Sequence, residues 1–277
     1  MFSCRELYLD LLKKTLLFEL WDETKLWRVA KLETHPFYKR WFVNAVVQHL
    51  AKTERRIMEP VPFSDSERQI GSDWPTLAHT MVGRKRLDHL LHCCETIIEE
   101  GVPGDFIETG VWRGGSCILM RGALKAHNAA NRTVWVADSF EGLPPPDAEK
   151  YPLDEQDKLF SFDELRVTLD EVRDTFARYG LLDDQVQFLK GWFKDTLPHA
   201  AIKELALLRL DGDMYESTID SLRFLYPKLA PGGYCIIDDY WLPACESAVQ
   251  DYRREHNINE EIHSIDGFGF YWRRDSK

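Results

Sequence analysis

The sequence predicts an α/β protein built on a doubly wound, mostly parallel, seven-stranded sheet with an N-terminal helical extension. Two observations carry that expectation. From residue 84 onward, short apolar stretches alternate with amphipathic ones, the pattern of strands joined by crossover helices that cover both faces of a sheet. The last two apolar stretches follow one another without a helix and are joined by Asp266-Gly267. That is hairpin chemistry, and it places an antiparallel strand on the sheet.

Taken in order, residues 5–21 set Tyr8, Leu11, Leu12, Thr15, Leu16 and Phe18 at helical spacing with charges mostly opposite. This predicts an amphipathic helix buried against the domain or against a second subunit. Residues 22–60 mix Trp27, Phe37, Tyr38, Trp41 and Phe42 with Lys and Arg and end in the mostly basic run 52–56. Helical packing with a solvated face is the expectation there, and a partner surface the alternative. Residues 1–70 are therefore read as the helical extension and 71–277 as the main domain. Within the latter, strands are expected over 105–108, 133–138, 185–190, 205–211 and 233–238, then 261–265 and 268–273. Helices are expected over 84–100, 115–127, 162–179, 217–229 and 243–256. Residues 141–158, with Pro144-Pro145-Pro146 and several acids, are too polar for a core and read as a lid or a passive surface loop.

Composition narrows the function classes. The chain has 277 residues, 44% hydrophobic and 29% charged, with a formal charge of −11. These values suit a soluble globular protein, and the acidic balance argues against gripping a nucleic-acid backbone. The six cysteines form no CxxC pair, so they read as small buried hydrophobes in a reducing compartment rather than a zinc or dithiol site. Charges interrupt the apolar patches of the first residues, and no run approaches the ~20 apolar residues of a membrane span. A cytoplasmic protein without membrane partners is expected.

In such sheets ligands sit beyond the carboxyl ends of the strands. After the first strand comes Glu108-Thr109-Gly110-Val111-Trp112-Arg113-Gly114-Gly115-Ser116, a glycine-rich turn leading into a helix, which brings backbone N–H groups against a ligand. Asp138 closes the second strand, where an acid can accept hydrogen bonds from both hydroxyls of a ribose. Together the turn and the acid point to an adenosine-containing cofactor. Further on, one strand ends in Asp211-Gly212-Asp213 and the next in Asp238-Asp239. On neighbouring strands about 4.8 Å apart, three of these carboxylates meet. Without a cation such clustering is unfavourable, and hard oxygen donors suit Mg²⁺ or Ca²⁺. Asp213 reads as the candidate for a solvated loop acid.

The motifs Glu-Thr-Gly-Val-Trp-Arg-Gly-Gly (108–115), Ala-Asp-Ser-Phe-Glu-Gly-Leu-Pro (137–144), Leu-Asp-Gly-Asp-Met-Tyr-Glu-Ser-Thr (210–218) and Gly-Gly-Tyr-Cys-Ile-Ile-Asp-Asp-Tyr (232–240) resemble those of the macrocin O-methyltransferase family, metal-dependent enzymes that methylate sugar hydroxyls of antibiotic glycosides. The resemblance implies a class I methyltransferase sheet that binds S-adenosylmethionine. It implies that Glu108, Thr109, Gly110, Trp112, Arg113, Gly114, Ser116 and Asp138 surround that cofactor, with Thr80, Met81, Ser139, Gly191 and Trp192 completing the pocket. It further implies that Asp211, Asp238 and Asp239 hold Mg²⁺, that Asp211 is the general base, and that the acceptor is a small-molecule glycoside. Self-association into a homo-oligomer is expected through the N-terminal helix. A metal-dependent methyltransferase of a catechol-like phenol uses the same parts, and a non-catalytic module is the rival of another class.

Overall fold

In the computed structural model, residues 2–21, 27–29, 50, 58–60 and 64–275 are described. Ser3 opens the first helix, α1 (Cys4–Leu16), with a capping box: its hydroxyl accepts the Glu6 N–H and the Glu6 carboxylate accepts its own N–H. The helix stops short of the expected residue 21, because Leu17 caps it and Phe18 turns to a φ of 62°. Leu9, Leu12 and Leu16 are buried in the same core cluster as the helices of the main domain, so the extension packs directly onto that body. Further along, β1 (Trp27–Val29) and β2 (Met58–Pro60) pair antiparallel, Trp27 opposite Pro60. The helical expectation for 22–60 is corrected at these strands, where Trp and Val favour extended backbone. The rest of that stretch, with the basic run 52–56, lies outside the described residues.

Helices α2 (Asp65–Ile70) and α3 (Arg84–Glu100) lead into the sheet. There follow β3 (Asp105–Thr109), α4 (Gly115–Ala126), β4 (Val134–Asp138), α5 (Leu169–Arg178), β5 (Val186–Lys190) and the short α6 (Phe193–Thr196). The chain then forms β6 (Leu205–Leu210), α7 (Tyr215–Leu225), β7 (Leu229–Ile237), α8 (Pro243–Glu255), β8 (His263–Ser264) and β9 (Phe270–Arg273). The seven strands lie in the order β5-β4-β3-β6-β7-β9-β8. The first five are parallel, while β9 runs antiparallel to both β7 and β8. This is the expected doubly wound sheet with its antiparallel end. The helix expected from 162 begins at Leu169, because Thr168 and Glu171 form a second capping box.

Strand residues alternate between two cores, as a period of two requires. Phe106, Val136 and Leu207 face the cluster that holds Leu87, Leu90, Ile118 and Phe176. Their neighbours Ile107, Ala137 and Leu208 face the cluster of Ile219, Leu222, Val249 and Trp272. Each fully buried large side chain of this kind contributes roughly 1.5–3 kcal/mol. The winding direction reverses between β3 and β6, so the crevice of such a fold opens above their carboxyl ends.

Candidate active site

The parallel register sets the site. Glu108 pairs with Arg209, and Arg209 with Ile236, so the residues just past these strands emerge together at one rim. Two compartments open there and share Met81, Trp112, Leu165, Asp211 and Asp213 as walls.

One compartment is built around the turn after β3. Gly110 has a φ of 84°, and a Cβ there would overlap the carbonyl oxygen of Asp211; only glycine fits so close an approach. Asp138 is tied into the same turn. Its Oδ2 accepts the Val111 N–H (2.8 Å) and its Oδ1 the Phe140 N–H (2.7 Å). The Ser139 hydroxyl also donates to Oδ1 (3.4 Å), whereas Oδ2, with two acceptor positions, keeps one to offer a ribose hydroxyl. Burial raises the Asp138 pKa against the effect of those hydrogen bonds. Ser139, Gly191 and Trp192 join Asp138 in the wall, with Leu143 and Pro144 from the 141–158 segment. That segment is moored: Asp154 is buried and accepts the N–H groups of Tyr215 (2.7 Å) and Glu216 (3.0 Å) at the start of α7.

The second compartment holds the acids. Asp211, Asp238 and Asp239 offer oxygens that all lie within 4.8 Å of one another. Asp211 is the most open of the three and faces both compartments, whereas Asp238 and Asp239 are buried. Burial and the neighbouring Asp238 charge push the Asp211 pKa up against the pull of Arg209. Burial and the charges of Asp213 and Asp211 hold Asp239 well above the usual carboxylate range. Asp213 is corrected from solvated loop acid to inward-facing group. It holds a φ of 58°, its N–H donates to Asp239 Oδ2 (3.1 Å), and burial with the Asp211 charge pushes its pKa to about 8. Trp74, Leu159, Trp241 and Phe268 wall this compartment, and Thr80, Glu108 and Ser116 also line it.

Sequence reasoning missed the cations beneath the acids. Arg209, 2% exposed at its side chain, donates to Glu108 and to Asp238 Oδ1, and pairs with Asp211 at 2.6 Å. Arg86 donates to Asp238 Oδ2. The trace of Arg209 was a lone charge in the otherwise apolar strand 205–210, two residues before Asp211 and therefore on the same side of the strand. Glu108 is accordingly a floor residue. Its oxygens are engaged by Arg209 and by the Cys117 thiol (2.8 Å), and burial raises its pKa to about 7. Three other expected cofactor residues are not among the lining of the two compartments. Thr109 is buried beneath the turn, Gly114 caps α4, and Arg113 donates to the carbonyls of Thr76 (3.1 Å) and Ala78 (2.7 Å) while stacking on Trp112. Non-glycine residues with left-handed backbone cluster at this rim: Trp112, Phe140 and Asp213 have φ of 47°, 58° and 58°. Each costs roughly 1–3 kcal/mol that the surrounding packing must offset, a pattern common at functional sites.

Comparison with known proteins agrees with this geometry. The family model for macrocin O-methyltransferase (TylF) matches residues 5–274, which includes the stretch 22–60. The mycinamicin III 3''-O-methyltransferase of Micromonospora griseorubida is 51% identical over 239 residues, 85% of this chain and 94% of that protein. The 8-demethyl-8-(2,3-dimethoxy-alpha-L-rhamnosyl)-tetracenomycin-C 4'-O-methyltransferase of Streptomyces olivaceus is 49% identical over 98% of this chain and 94% of its own length. The solved structure of the O-methyltransferase NovP superimposes with a TM-score of 0.83 at 45% identity, covering 98% of this chain and 99% of that one. The chain belongs to the macrocin O-methyltransferase family and is an S-adenosylmethionine-dependent O-methyltransferase.

Proposed function

We propose that the chain methylates a sugar hydroxyl of a glycosylated natural product, with Asp211, Asp238 and Asp239 holding a magnesium ion beside the acceptor. The observation that carries this reading is the merging of the two compartments at Asp211, which puts the acid cluster beside the cofactor cavity. The donor set fits the ion: hard oxygens only, drawn together in one cluster, with the pKa values of Asp211 and Asp239 raised by burial first and then by neighbouring carboxylates. A divalent cation held there supplies Lewis acidity, lowering the pKa of an alcohol that would otherwise ionise far above neutral pH. The names of the two curated relatives, one of which specifies a rhamnosyl substrate, support a sugar-bearing acceptor.

The protein's own residues do the rest. Asp138 accepts the ribose hydroxyls of S-adenosylmethionine, and the 108–116 turn receives its methionine end. Ser139, Gly191, Trp192 and Met81 close around it. Trp74, Trp241 and Phe268 give the acceptor apolar walls to pack against. Asp211, open to both compartments, accepts the proton of the acceptor hydroxyl at its carboxylate as the methyl leaves sulfur. Holding donor and acceptor in line supplies up to ~7–11 kcal/mol of the barrier reduction. The test is transfer of labelled methyl from S-adenosylmethionine to partially methylated glycosides, with and without chelator. Asp211→Asn is expected to lower kcat at least a hundredfold while S-adenosylhomocysteine affinity stays within twofold. Full turnover after exhaustive chelation would remove the metal from the reading, and transfer to catechols alone would replace the sugar with a phenol.

A further inference from the structure

Arg86 is a buried cation for which the reaction above has no task. It lies in the first turn of α3, its side chain 7% exposed, and reaches three separate segments. Nη1 donates to Asp238 Oδ2. Nη2 donates to the carbonyl oxygens of Ile70 (2.8 Å) and Gly71 (3.3 Å) at the end of α2. Nε stands 3.1 Å from Oδ2 of Asp266, whose Oδ1 accepts the Phe268 and Gly269 N–H groups of the β8–β9 turn. The fit is tight, since a Cβ on Gly71 would overlap the guanidinium and one on Gly269 would press on Arg86 Cδ. With Arg209 on Oδ1, the Asp238 carboxylate is gripped from both sides by planar forks.

We propose that Arg86 is a positioning residue for the acceptor half of the cleft. It fixes the plane of the Asp238 carboxylate and ties to it the two segments that carry Trp74 and Phe268. The proposal rests on the reading of Asp238 as a cation ligand. Two roles for Arg86 predict opposite signs. As a mere positive charge it repels a bound cation, so its removal would tighten binding. As a positioning fork it presents Asp238 in the one orientation that a small, geometrically demanding ion accepts, so its removal weakens binding. Lysine keeps the charge and loses the fork.

The experiment measures Mn²⁺ binding by electron paramagnetic resonance and S-adenosylhomocysteine binding by calorimetry, on the full chain and on Arg86→Gln and Arg86→Lys. Both variants are expected to bind Mn²⁺ at least fivefold more weakly than the parent, with S-adenosylhomocysteine affinity within twofold. Unchanged or tighter Mn²⁺ binding in Arg86→Gln overturns the positioning role, and so does an equal loss of both ligands. A parent chain that binds no Mn²⁺ removes the ligand reading of Asp238 and the proposal with it, an outcome visible before any variant is made. Should both variants fail to fold, Asp266→Asn loosens the same fork at its outer anchor. It is expected to weaken Mn²⁺ binding at least twofold, and no change there overturns the proposal.

Discussion

The two halves of the cleft are made of different materials. The half around Asp138 is shaped by backbone: a glycine pressed against the Asp211 carbonyl, and Asp138 held by main-chain N–H groups. The acid half is side-chain charge: Glu108, Asp211 and Asp238 laid against Arg209, with Arg86 closing over Asp238. A backbone site tolerates loss of a single side chain but not a change of local conformation. A charge network behaves the other way, because removing one partner leaves its neighbours buried and unpaired.

That contrast can be broken by substitution. The largest expected effect is Arg209→Met, which leaves Glu108 and Asp238 facing one another without their shared cation. A loss of roughly 3–5 kcal/mol is expected, read by urea unfolding, with partial recovery when Glu108→Gln is added. A loss below about 1 kcal/mol would show that the network is not the floor of the site. Next comes Gly110→Ala at the seam between the halves. Its positive φ alone costs about 1–2 kcal/mol in an L-residue, and its methyl overlaps the Asp211 carbonyl. S-adenosylhomocysteine affinity is expected to fall at least tenfold, and an unaltered value by calorimetry would refute the close approach. The smallest effect separates the rim from the body. His89 on α3 has its pKa lowered to about 4, by burial first and then by the His92 charge. A folded pKa below the unfolded 6.5 means its contribution is fully present above pH 6.5 and is lost as pH falls through 4. Over that window the unfolding free energy should fall with acidification, by up to ~1.4 kcal/mol per pH unit from this group, and Tm should fall with it. His89→Gln should flatten that part of the curve; an unchanged slope would assign it to other groups.

The same difference in material explains what the sequence disclosed. The strand ends were legible because apolar runs stop where polar loops begin, and the turn after β3 because close backbone approach demands glycine at fixed positions. The clustering of Asp211, Asp238 and Asp239 was legible from the parallel order of β6 and β7 alone. The partners of those acids were not. Arg86 arrives from a helix 152 residues before Asp238 in the chain, and no local pattern announces such a meeting. Thr168 and Glu171 did carry a visible capping signature that would have placed the start of α5 correctly. The pairing of Trp27–Val29 with Met58–Pro60 joins segments too short for a period of two to register.

Asp154 fastens a stretch of turns and short 3-10 helices to the first amides of α7, with Leu143 and Pro144 upstream and Leu159 and Leu165 downstream reaching the two compartments. Such a segment can be lengthened, shortened or recomposed upstream and downstream while the acids past β6 and β7 keep their places. Among descendants of this scaffold, changes of preference for one acceptor over another are expected to accumulate in those two arms, with the aspartate between them held constant.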